Sequence, residues 1–187
     1  METAHHMTDS RRLLQHFLAA LAYRTQKALR GAPDDFGHFR AFPNVRTPHE
    51  LLWHMTGVLG YARTMLRRGT YAPPKLDTFD AEIERFHALL AELRDDFGDT
   101  ALSASISDEQ FLQGPLADAM THAGQLAMLR RFAGSPVPSE DFVYADVRRE
   151  NVGRDQPDPR APDDWWRPDD PPPSPGPSHP SFRQRRR

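Results

Sequence analysis

Residues 114–134 read Gly-Pro-Leu-Ala-Asp-Ala-Met-Thr-His-Ala-Gly-Gln-Leu-Ala-Met-Leu-Arg-Arg-Phe-Ala-Gly. The spacing predicts one helix. Pro115 suits a first helical position, where a missing N–H costs nothing. Gly134 suits the position after the last turn, where a left-handed conformation is needed. Arg130 and Arg131 fall in the last turn, where the helix dipole favours cations. Leu116, Ala119, Ala123, Leu126 and Ala127 supply a packing surface. Asp118 and His122 are four apart and share a face, which Gln125 and Leu129 continue. A carboxylate and an imidazole beside an apolar face are exposed, paired with each other, or hold a metal.

Three further amphipathic runs precede this one. In the first, Leu13, Leu14, Phe17, Leu18, Leu21 and Ala22 recur at helical spacing after a cap at Asp9 or Ser10, and Gly31 ends the run. His16 lies off that stripe and reads as solvated. The second opens on Thr47-Pro48-His49-Glu50, a capping box with proline at the first position. Its apolar side is Leu51, Met55, Val58, Leu59, Ala62, Met65 and Leu66, with His54 among them and Gly69 as the stop. The third begins at Asp77 or Thr78 and carries Ile83, Phe86, Leu89, Leu90, Leu93 and Phe97, with His87 beside the stripe. Ser107 and Gln110 can cap a single turn before the fourth helix. Long loops follow the first two helices. Four amphipathic helices without strand alternation imply an all-α four-helix bundle.

Composition bounds the rest. The chain has 187 residues, no cysteine and a net charge of −2. Disulfides, thiolate metal sites and a cysteine nucleophile are thereby excluded, so a metal would be held by imidazole and carboxylate. The charge balance argues against a nucleic-acid partner, and no apolar run approaches a membrane span. A cytoplasmic protein is expected. Of 18 prolines, ten lie between Pro157 and Pro180. We divide the chain into a flexible leader (1–8), a bundle domain (9–155) and a Pro-rich, disordered tail (156–187). In that tail, Trp165 and Trp166 are candidates for tacking the chain back onto the domain, and the terminal arginines form a cationic end.

His-Glu-Leu-Leu-Trp-His at 49–54 is not a zinc-protease motif. Its histidines are five apart and diverge by roughly 140° around the helix. His49 reads as a cap-region residue. His54, Asp118 and His122 remain. If the second and fourth helices are neighbours, these three converge with coordination positions left open. The alternative is a core histidine and a surface Asp–His pair.

The segment Thr121–Val137, with the His49–Met55 segment of the second helix, resembles the DinB-like (YfiT-like, DNA-damage-inducible) superfamily over roughly residues 10–155. The resemblance implies an up-down-down-up bundle holding a divalent metal, Zn, Ni, Fe or Mn. The ligands would be His54 and His122, with Asp118 where the family usually has a histidine. Gln125 and Tyr61 would then flank the metal or the substrate. It also implies a metal-dependent small-thiol S-transferase or hydrolase acting on a small molecule, and a homodimer. The alternative is a non-catalytic, stress-associated metal-binding or interaction protein with a degenerate site.

Overall fold

Four side-chain hydroxyls start the helices, each accepting from the backbone N–H three residues on. Thr8 caps α1 (Asp9–Leu29), Thr47 caps α2 (Pro48–Arg67), Thr78 caps α3 (Phe79–Gly98) and Ser107 caps α4 (Asp108–Phe111). At Thr47 and Ser107 the return bond from Glu50 and Gln110 completes a capping box. The computed structural model describes residues 7–159, and the described chain is all-α, without a β-strand. The leader histidines His5 and His6, Trp165, Trp166 and the cationic end lie outside the described residues.

The predicted fourth helix needs correction. Ser107 and Gln110 cap more than one turn, for α4 runs through a π-helical segment (Leu112–Leu116) into α5 (Ala117–Phe132). Pro115 is therefore inside the rod, not at its start. A proline there lacks the N–H for the i−4 carbonyl, and its ring collides with that carbonyl. The wider π turn relaxes both conflicts. The first cap is likewise Thr8, not Asp9 or Ser10, and Leu13 is exposed.

α1 packs on α3 and α5, and α2 packs on the same two. Specific contacts fix the directions. Gln15 near the start of α1 donates to Arg94 O near the end of α3, so these two run oppositely. Arg11 pairs with Asp108 while Arg130 donates to Ala28 O, so α1 and the α4–α5 rod run together. His49 lies against Phe79 while Arg63 pairs with Asp96, so α2 and α3 run together. Leu51 shares a cleft with Leu129, and Tyr61 shares another with Gln113, so α2 and α5 run oppositely. Leu18, Leu52, Met55, Phe86, Leu90 and Leu126 form the centre of one continuous core. Burying side chains of this size is worth about 1.5–3 kcal/mol each.

Two connections are tied down by missing side chains. A Cβ on Gly60 would fall 2.0 Å from the Tyr71 ring, so only glycine lets the α2–α3 loop lie on α2. Trp53 Nε1 then donates to Pro73 O at 3.0 Å, fixing that loop alongside His54's helix. After Gly134 (φ +73°) the chain returns across α1 and α3. Glu140 accepts from Tyr23 and Lys27, and Val152 O accepts from His87. Gln156 remains buried on the same face.

No helix among the described residues is long and apolar enough to cross a membrane.

Candidate metal centre

The apolar stripe of α2 breaks once, at His54, which sits half-buried between Leu51 and the open space over Gly57. Across the seam, α5 presents Asp118 and His122 one turn apart. The three side chains meet, with one ligand atom from each lying within 4.8 Å of the others. The His54 and His122 rings are 4.8 Å apart at 73°. His122 Nε2 is 3.3 Å from Asp118 Oδ1. Its Nδ1 is 2.8 Å from Gln125 Oε1. The His122 side chain is 10% exposed and that of Asp118 47%, so the site opens on its carboxylate side.

In this amide orientation Gln125 Oε1 can only accept, so His122 Nδ1 carries the hydrogen. On a neutral ring, Nε2 then points a lone pair at a carboxylate oxygen. Two acceptors 3.3 Å apart repel unless a cation lies between them. That cation is either a proton on Nε2 or a metal ion. The spacing suits a metal, because two ligands at bonds of about 2.0–2.2 Å in a tetrahedral site are about 3.4 Å apart. The widest separation in the group needs to close by up to about 1.4 Å to match that edge, which a rotation of the His54 side chain can supply.

His54 is biased toward the neutral, ligating form. Burial lowers its pKa first, and the positive charge of Arg46 and the neighbouring His122 lower it further, against an opposing pull from Asp118. Arg46 comes from the α1–α2 loop and follows no helical period, so nothing in the sequence marked it. The loop is braced. Asn44 takes a left-handed φ of +66°, Arg40 donates to Val45 O, and Arg40 also pairs with Glu50 of the α2 capping box.

Three clefts meet at this seam. One of 520 Å³ runs from His54 past Trp53 to Pro73. A second, of 580 Å³, lies between Arg46 and the exposed side chains of Met128 and Phe132. A third, of 760 Å³, holds His54, Asp118 and Tyr61. Gln125 thus touches the triad directly. Tyr61 lines the cleft into which the triad opens and makes no side-chain bond to it.

Among the described residues, the other histidines lie outside this cluster. His49 lies in the capped first turn of α2, as expected, and is buried there, 1% exposed and 5.7 Å from the Phe79 ring. Among the described residues, neither ring nitrogen of His49 has a hydrogen-bond partner. His87 is buried under the returning chain with Nδ1 2.8 Å from Val152 O. His16 is exposed, as expected.

Compared with known proteins, the chain matches no family model, no curated protein and no solved structure.

Proposed function

We propose that this chain is a divalent-metal-binding protein of the DinB-like kind, acting as a metal-dependent small-thiol S-transferase or hydrolase. The observation that carries the reading is the meeting of His54 from α2 with Asp118 and His122 from α5. The helix pairings and directions support an up-down-down-up four-helix bundle as its frame. Zn, Ni, Fe or Mn are the candidate ions, since two imidazoles and a carboxylate suit borderline divalent cations. A bound ion would lower the pKa of a thiol or a water and hold the resulting anion for attack.

The chain's own residues prepare that chemistry. Gln125 holds the His122 tautomer with Nε2 free. Burial, and after it the charge of Arg46, lower the pKa of His54 and favour its neutral form. Three protein ligands leave the half-exposed side of Asp118 for a substrate atom entering from the Tyr61 cleft. The same exposed clefts give a second reactant room beside the first.

Metal content and thermal stability of wild type and Asp118→Ala test the reading. We expect about one divalent ion per wild-type chain. At an ion concentration one hundred times Kd, Tm should rise by about 5–10 °C. Asp118→Ala should lose both. A wild-type protein that takes up no ion, and that none of the four ions stabilises, would overturn the reading. Thiol consumption in the presence of an electrophile then separates a transferase from a protein that only binds metal.

A further inference from the structure

Arg46 is exposed and lines two of the clefts at the seam. Among the described residues it has no ion pair and no hydrogen-bond partner. The neighbouring arginine of the same loop, Arg40, is engaged with Glu50 and with Val45 O. The contrast matters, because both side chains line the cleft that begins at His54. One braces the loop and the other is left over. The leftover guanidinium also lines the second cleft, where Val45, Met128 and Phe132 expose apolar surface. Phe42 packs edge-on against Phe132.

From this geometry we infer that Arg46 is the anion-binding residue of the site. It would hold the carboxylate of a substrate whose apolar body lies on Val45, Met128 and Phe132 and whose other end reaches the triad. The inference deepens the metal-centre reading and rests on it for what happens at the triad.

The chemistry favours a carboxylate. A guanidinium donates two parallel N–H bonds that match a planar carboxylate. A single guanidinium balances a single charge. A phosphate dianion would call for a second free cation, and Arg40 is already spent on Glu50. The apolar surface beside Arg46 adds selectivity for a carboxylate attached to an aryl or alkyl body over a small, fully hydrated anion.

The test uses two probes of one shape, 3-phenylpropionate and its neutral amide. Their affinities are measured by calorimetry for the full chain, with Zn²⁺ and after chelator treatment. Wild type should bind the carboxylate about five- to tenfold more tightly than the amide in both states. Arg46→Gln should bring the two within about twofold, and Arg46→Lys should restore part of the preference. Met128→Ala should weaken both probes alike. If none of Zn²⁺, Ni²⁺, Fe²⁺ and Mn²⁺ binds but the Arg46-dependent preference persists, the metal reading fails and the anion subsite stands. If Arg46→Gln keeps the wild-type preference, or if wild type binds neither probe, the inference is overturned whether or not Zn²⁺ binds.

Discussion

The two ends of α5 treat polar groups in opposite ways. At the C-terminal end, Arg130 is buried and fully used. Its guanidinium donates to Ala28 O, Arg30 O and Gly31 O at the end of α1, and to Ser135 O and Oγ beyond α5. Nearby, the fully buried Glu140 carboxylate is bonded by Tyr23 and Lys27. At the N-terminal end, Asp118 is half open and His122 Nε2 faces it acceptor to acceptor. The helix spends its buried charge on tying α1 to α5 at one end. At the other it leaves charge available to a ligand.

The sharpest way to break this contrast is Arg130→Met. The substitution strips partners from three carbonyls that end α1, two of them flanking the left-handed Gly31. We expect a loss of about 3–5 kcal/mol in urea unfolding, as for one-sided removal from a buried charged network. The metal-free Asp118→Ala variant should differ from wild type by less than about 0.5 kcal/mol, as surface changes do. Equal losses at the two sites would erase the distinction.

A second test concerns pH. Burial holds the pKa of His49 below its ordinary value. The folded protein therefore binds fewer protons than the unfolded chain. Stability from the neutral ring is complete above the unfolded pKa of about 6.5 and is lost as pH falls below it. Burial does the same to His87, where the bond to Val152 O opposes it. Tm should fall between pH 7.5 and pH 5. His49→Leu, which also removes two orphaned nitrogens, should flatten that fall without altering metal content. An unchanged pH profile would refute the buried, neutral reading of His49.

These outcomes bear on what the sequence could tell. The helix starts at Thr47 and Thr78 were legible, because a cap is a local device that acts within one turn. His54, Asp118 and His122 were legible as candidates from helical periodicity. Their meeting was not, since it depends on which helices are neighbours. Pro115 misled because the ordinary rule places proline at a helix start, and the π segment that admits it has no simple sequence signature. His49 lies in the cap region as read, but its burial was not legible. Its position in a capping box is local, while its burial comes from Phe79, thirty residues on. Arg46 was invisible, for its role depends on a braced loop and on Arg40 being occupied elsewhere.

A small effect of opposite sign is expected at Gly57, one turn beyond His54, where a Cβ would meet nothing within 4 Å. Glycine inside a helix costs roughly 0.5–1 kcal/mol relative to alanine. No packing conflict justifies that cost on α2, in contrast to Gly60, where Tyr71 forbids a side chain. Gly57 lines both the Trp53 cleft and the Tyr61 cleft, so the missing methyl widens the passage at His54. Gly57→Ala should therefore stabilise the fold by about 0.5–1 kcal/mol and weaken binding of ligands that reach the triad. Gly60→Ala should destabilise the fold instead. If Gly57→Ala stabilises without affecting any ligand, the passage over His54 is wider than substrates need. If it destabilises, the space above residue 57 is not open and the seam is not kept clear there.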